Sequence, residues 1–309
     1  MNFAFFFAGQ GSQSLNMMNG FDGVAEVKAT FDEASAVLGQ DLWAMMNGDD
    51  ADIISQTINT QPLMLTAGIA TYRAYLAAGG KAPSVVAGHS LGEYTALVAA
   101  GSLNFADAVK LVRSRAELMQ SAVPQGVGAM AAILGLDDEQ VRQICAAAEQ
   151  GDVCEAVNFN SVGQVVIAGN AAAVERAMSA AKEAGAKRAL PLPVSVPSHC
   201  RLMKPAAEKL AIALQDIALR QPEIRVIHNA DVVSYNDAAQ IKDALVRQLY
   251  SPVRWTETVQ LLVREGITQS AECSPGKVLA GLAKRADKNM ECAALISQQA
   301  VQDFIAAHS

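Results

Sequence analysis

What this chain has little of narrows its class. Aromatic residues make up only 5% of the 309 residues, yet 51% are hydrophobic and alanine is abundant. An interior with few rings and many small side chains is built from helices packed closely on a sheet. Basic residues number 24 against 31 acidic ones, for a net charge of −7. That balance argues against nucleic acid or an anionic membrane surface as partners. The five cysteines (Cys145, Cys154, Cys200, Cys273 and Cys292) are odd in number, and no two stand at metal-ligand spacing. Reduced thiols in a cytoplasmic protein without a metal site follow as the expectation. No uninterrupted apolar run reaches membrane-spanning length. The apolar start, Met1 to Ala8, is short and lacks a basic leader, so it is read as a buried first strand rather than a signal peptide. Low-complexity tracts, repeats and long linkers are also missing. The length suits one sizeable domain, or a domain with an insert.

Against these absences, one stretch stands out. Val85-Val86-Ala87 runs into Gly88-His89-Ser90-Leu91-Gly92, and an alanine-rich helical segment follows from Glu93 to Ala100. Strand, sharp turn and helix, with a serine at the apex and glycines two before and two after, make a nucleophile elbow. Glycine lets strand and helix approach closely, and the first free N–H groups of the helix face whatever binds there. Such donors suit a tetrahedral oxyanion. The pentapeptide alone also fits a turn without chemistry.

The rest of the chain alternates strands and helices. Asn2–Ala8 is a strand ending in the polar turn Gly9-Gln10-Gly11-Ser12-Gln13, which lacks the Lys-Ser/Thr ending of a phosphate loop. Gln10, taken singly, reads as a turn amide capping its own backbone. Helices are expected over Ala25–Leu38, Asp49–Gln56 and Gln61–Ala78, the last opened by Thr60 and Pro62. Asn104 caps a long helix to about Ala122 that carries Arg113 and Arg115. Two residues apart on a helix, these arginines cannot share a face, and periodicity does not settle which one turns inward. From Gly126 the order is strand (Gly128–Leu134), helix (Asp137–Glu149), strands (Glu155–Phe159, Gln164–Ala168), helix (Ala171–Ala184) and strand (Ala186–Leu190). That is the split βαβ, or ferredoxin-like, arrangement. The expected organisation is a large, mostly parallel α/β-hydrolase-like domain of residues 1–125 and 197–309, with an inserted ferredoxin-like α+β subdomain of residues 126–196. The proline-rich Pro191–Pro197 returns the chain as an extended connector.

It delivers Ser198-His199-Cys200 ahead of a helix expected from Met203 to Ile217. Of the four histidines, His308 is terminal, His89 lies inside the elbow and His228 ends the short strand Arg225–Ile227. By elimination His199 is the candidate general base, beside the plainer reading of a helix-capping histidine. Helices Ala238–Tyr250 and Trp255–Arg264, strand Ile267–Glu272, helix Val278–Ala286, strand Met290–Leu295 and helix Gln299–Ala307 complete the reading.

Taken together, Gly9-Gln10-Gly11-Ser12-Gln13, Gly88-His89-Ser90-Leu91-Gly92-Glu93-Tyr94, Arg115, Asn158-Phe159-Asn160-Ser161, Pro197-Ser198-His199, Gln248 to Val253 and Pro275-Gly276-Lys277 occur in one order. Across nearly its whole length the chain resembles bacterial malonyl-CoA:acyl carrier protein transacylases. Two departures show. Ala8 stands where many members have proline, and Cys273-Ser274 replaces a more usual Val-Gly. The resemblance implies that Ser90 attacks the thioester of malonyl-CoA while His199 takes its proton, a dyad whose second imidazole nitrogen is held by a backbone carbonyl near Gln248. It implies an oxyanion hole from the N–H groups of Gln10 and Leu91, and a bidentate grip of Arg115 on the free malonyl carboxylate. His89, Asn158 and Gln248 are expected around the substrate. The malonyl ester on Ser90 then passes to the phosphopantetheine thiol of an acyl carrier protein, with no metal or redox cofactor and with the enzyme expected to be a monomer.

Two other readings stand beside it. A serine hydrolase shares elbow, base and oxyanion hole, and differs in letting water resolve the acyl-enzyme. A catalytically dead scaffold would only dock the carrier protein, using basic side chains such as Lys187, Arg188, Lys204 or Lys284. The sequence leaves open fatty acid or polyketide supply and malonyl or methylmalonyl preference, since one methyl is discriminated by only about 1–3 kcal/mol.

Overall fold

A run such as Ala4-Phe5-Phe6-Phe7 has no polar side chain to offer water, so it belongs at the centre of a sheet covered on both faces. In a computed structural model, which describes residues 2–194 and 196–308, all four are fully buried. Ser195, inside the expected connector, lies outside the described residues, as do Met1 and Ser309. In chain order the strands are β1 (Ala4–Phe7), β2 (Val85–Gly88), β3 (Gly128–Leu134), β4 (Cys154–Ser161), β5 (Gln164–Asn170), β6 (Arg188–Pro191), β7 (Arg225–Ile227), β8 (Gln269–Glu272) and β9 (Glu291–Ala294).

They form two sheets. The larger runs β7-β2-β1-β8-β9 with every neighbouring pair parallel. Parallel strands place their carboxyl ends on one edge, and the loops leaving them gather there. The Gly9 loop follows β1, the Ser90 turn follows β2, His228 and Asn229 follow β7, and Cys273-Ser274 follow β8. The smaller sheet runs β4-β5-β3-β6 with all pairs antiparallel, and the helices Asp138–Ala148 and Ala171–Glu183 complete a βαββαβ order. It has an apolar cluster of its own around Ile133, Val141, Val165, Ile167 and Val174. The two units are stitched by main chain. Phe159 N–H donates to Val253 O at 3.0 Å and Val253 N–H to Val157 O at 2.8 Å.

Local chemistry explains where the elements begin and end. The helices Ala25–Leu38, Trp255–Arg264 and Val278–Ala286 and the strands β3 and β7 keep the ends expected from sequence. The helix expected from Gln61 starts a turn earlier and spans Thr57–Ala77, with Pro62 inside it. One missing N–H in the second turn is tolerated, and Thr60 Oγ1 ties that turn back to Ile54 O at 2.6 Å. A short helix Leu42–Met46, capped by Asp41, was not anticipated, and Asp50 caps a helix that covers only Ala51–Ser55. After His199 the chain makes a single 3-10 turn, Arg201–Met203, before the helix Lys204–Ala213, which ends short of the expected Ile217. The helix from Ala238 stops at Gln248, two residues before the expected Tyr250.

The glycines of the elbow are required by contact. A Cβ on Gly88 would lie 1.8 Å from the Gly92 backbone, and one on Gly92 would lie 2.0 Å from Phe7 O. Backbone cannot yield to that extent, so β1, β2 and the following helix meet only because both positions are bare.

The two departures from the family pattern meet in space. Ala8 N–H donates to Ser274 Oγ at 3.2 Å in a buried contact. A proline at position 8 would have no N–H to donate, and a glycine at 274 no oxygen to accept it. We expect Ser274→Gly alone to leave the Ala8 N–H without a partner and to cost about 1–3 kcal/mol. Ala8→Pro combined with Ser274→Gly removes donor and acceptor together and should recover most of that loss. Urea denaturation of the two single variants and the double variant checks this; additive losses in the double variant would refute the coupling.

Candidate active site

Ser90 sits at the apex of the β2 turn with φ +53°, a left-handed conformation that a serine adopts only when its surroundings enforce it. Both halves of its peptide are held. Ser90 N–H donates to Asn229 Oδ1 at 2.7 Å, and Gln248 Nε2 donates to Ser90 O at 2.9 Å. His199 is also left-handed, with φ +66°, and its N–H donates to Leu249 O at 3.0 Å.

These two side chains meet. Ser90 Oγ lies 2.7 Å from His199 Nε2, and His199 Nδ1 lies 2.7 Å from Gln248 O. A carbonyl oxygen only accepts, so Nδ1 carries the proton and the Nε2 lone pair faces the hydroxyl. Burial and the nearby Arg115 guanidinium push the His199 imidazole down to about 3, outweighing the opposing pull of the Gln248 carbonyl. The ring is therefore neutral near pH 7, as a proton acceptor must be.

Arg115 is the arginine that turns inward, only 1% exposed. Arg113 instead bonds to the side chain of Gln40. Arg115 donates to Gln61 Oε1 at 2.9 Å, Gln248 Oε1 at 3.0 Å and Ser90 Oγ at 3.3 Å, and its guanidinium stacks 5.3 Å from the Tyr94 ring centroid. Every one of these partners is neutral, and Arg115 Nε has none among the described residues. Burial pulls the guanidinium below its usual value, opposed by Tyr94 and Glu93. A buried cation without an ion-pair partner is costly, and an anion entering beside it relieves that cost.

The space in front of these groups is a cavity of about 490 Å³ between the two sheets. Gln10, His89, Ser90, Leu91, Arg115, Asn158 and His199 all line it, with Met130, Leu192, Val194 and Val196 supplying apolar wall. Neither the Gln10 nor the Leu91 N–H has an acceptor among the described residues. A Cβ on Gly9 would lie 2.5 Å from His89 O, which is how closely the two loops approach. His89 is tied by Nε2 to Asn160 Oδ1 at 2.8 Å, and burial lowers its pKa. Asn158 Oδ1 is buried without a partner among the described residues. Gln248 stands behind the cavity rather than in its wall, reaching the site through hydrogen bonds. Sequence reasoning passed over Gln61, Asn160 and Asn229. Asn229 could have been found from its place just beyond β7, the strand beside the serine strand.

Known proteins share this chain throughout. Residues 4–307 match the acyl transferase domain family. A malonyl CoA-acyl carrier protein transacylase of Salmonella typhimurium is 54% identical over 294 residues, 95% of this chain and 95% of its own length. The solved acyl-carrier-protein S-malonyltransferase of Burkholderia pseudomallei is 56% identical, with a TM-score of 0.97 over 99% of this chain and 100% of that one. A malonyl-transacylase solved in complex with its type II PKS acyl-carrier protein is 50% identical, with a TM-score of 0.98 and coverage of 99% and 100%. With a parallel α/β sheet, a serine on a glycine-flanked turn and this likeness along its whole length, the chain belongs to the malonyl CoA-acyl carrier protein transacylases of the acyl transferase family.

Proposed function

We propose that this chain is a malonyl-CoA:acyl carrier protein S-malonyltransferase working through a malonyl ester on Ser90. The observation that carries the reading is the Ser90–His199 contact at 2.7 Å beside a buried guanidinium whose hydrogen-bond partners among the described residues are all neutral. The malonyl carboxylate takes the place of the missing anion at Arg115. Ser90 Oγ attacks the thioester carbonyl as His199 Nε2 accepts its proton, and the Gln10 and Leu91 N–H groups hold the oxyanion. Collapse expels the CoA sulfur, which takes the proton from His199. The phosphopantetheine thiol of the carrier protein then gives its proton to His199 and attacks the ester, restoring Ser90. These steps call for no metal or redox cofactor. His89 and Asn158 line the acyl end of the site, where the unpartnered Asn158 Oδ1 has room for a donor.

The same reading extends to organisation. Residues 1–125 with 197–309 form an α/β-hydrolase-like acyltransferase domain, and 126–196 a ferredoxin-like subdomain; the separate sheets and separate apolar clusters support that division. The protein acts as a cytoplasmic monomer. No helix among the described residues is long and apolar enough to cross a membrane.

Intact-protein mass spectrometry after brief exposure to malonyl-CoA should find one malonyl group, absent from Ser90→Ala. It should persist until carrier protein is added. Rapid release of free malonate without carrier would instead identify a hydrolase.

Arg115→Ala should slow malonylation by roughly 10²–10³-fold, the loss of an ion pair of about 3–4 kcal/mol. Acetyl transfer should rise relative to malonyl transfer. Undiminished malonyl turnover in that variant would remove Arg115 from its role.

The pH dependence follows from His199. With its free-enzyme value lowered to about 3, the base stays neutral as pH falls, and kcat/KM should remain level from pH 8 to about 5. A bound malonyl carboxylate offsets the Arg115 charge and raises the His199 value, so the acid limb of kcat should lie above that of kcat/KM. An acid limb of kcat/KM centred near 6.5, the ordinary histidine value, would contradict this.

A further inference from the structure

Glu93, three residues after the serine, has no part in the steps above, yet it is completely buried. Its carboxylate receives three hydrogen bonds. Oε1 lies 2.7 Å from His228 Nδ1, and Oε2 accepts from Asn229 N–H at 3.0 Å and Gln248 Nε2 at 2.9 Å. His228, Asn229 and Gln248 are themselves at most 1% exposed.

Two of these partners control every reacting group. Asn229 Oδ1 accepts from Ser90 N–H, and Asn229 Nδ2 donates to Gly88 O at 2.6 Å, so this one amide spans the elbow. Gln248 Nε2 donates to Ser90 O, Gln248 Oε1 accepts from Arg115, and the Gln248 carbonyl accepts from His199 Nδ1. A glutamine amide can be turned end for end with little change of shape. Facing three acceptors, Glu93 Oε2, Ser90 O and, at 3.4 Å, Asn229 Oδ1, the Nε2 end has only one favourable orientation. That orientation presents Oε1, not an N–H, to the Arg115 guanidinium.

We propose that Glu93 is a positioning residue for the transferase reaction. Through Gln248 and Asn229 it enforces the left-handed Ser90 backbone and aims Arg115 and His199 at a single point. What matters is the reach and the acceptor atoms of its side chain rather than its charge. This inference rests on the reading of Ser90 and His199 given under the proposed function.

The experiment is rapid-quench malonylation of Ser90 at saturating malonyl-CoA, followed by mass spectrometry, with the apparent KM measured alongside. Wild type is the control for the functional reading. If wild-type Ser90 takes up no malonyl group, that reading fails; if wild type labels and the variants below behave otherwise than expected, this inference alone fails. Glu93→Ala should label about 10²-fold more slowly, as expected when a reacting group is displaced by about 1 Å, with KM changed less than the rate. Glu93→Gln keeps an oxygen toward Asn229 and Gln248 and can donate to His228 Nδ1, so its rate should lie within tenfold of wild type. Glu93→Asp keeps the charge but is one methylene too short to reach His228 and Gln248 together, and should fall below Glu93→Gln. That order distinguishes geometry from charge, and it carries the test even if Glu93→Ala does not fold. A folded Glu93→Ala labelling within threefold of wild type, or Glu93→Asp outrunning Glu93→Gln, would overturn the proposal.

Discussion

The contact on which this molecule depends joins two residues that the backbone would not place together unaided. Ser90 and His199 are both held at positive φ, Ser90 by the side chains of Asn229 and Gln248 on its N–H and C=O, and His199 by the Leu249 carbonyl on its N–H. Such conformations cost of order 1–3 kcal/mol each and persist only where the surroundings over-determine them. Here the surroundings are the carboxyl edge of five parallel strands, where loops from four of them converge. The fold supplies rigidity, and the strain is spent on bringing a hydroxyl within 2.7 Å of a neutral imidazole.

Burial does two opposite things at this site. It keeps His199 deprotonated by penalising the charged ring, and it leaves Arg115 charged among neutral partners. Each effect supports the other, because the guanidinium also disfavours a proton on the imidazole. An incoming carboxylate changes both at once. Under the proposed function, it would give Arg115 its counter-ion and make His199 a better base at the moment a base is needed. Under the proposed function, selection of a dicarboxylic acyl group and activation of the serine would share one electrostatic origin.

Much of this could be read from the sequence because its signals are local. The elbow is written in five adjacent residues, and β1, β2 and the βαββαβ order follow from apolar runs and turn glycines. Caps such as Asn104 and Asp137 mark helix starts through their own side chains. What escaped was non-local. Nothing in the 57–77 helix distinguishes Gln61 from any other buried polar residue until Arg115, 54 positions away, is seen to donate to it. The direction of Arg115 itself stayed open, since an arginine beside an alanine on a helix fits either face. The tie between Ala8 and Ser274 was equally hidden, because it joins the exits of two strands that only the sheet order makes neighbours.

The cavity between the sheets has a kinetic corollary. Its walls come from both units, which are joined by main-chain bonds from Phe159 N–H to Val253 O and from Val253 N–H to Val157 O. Under the proposed reaction, the CoA sulfur and the pantetheine thiol reach the same carbonyl carbon within this cavity. On that reading, CoA still seated in the cavity would stand where the carrier's arm must enter.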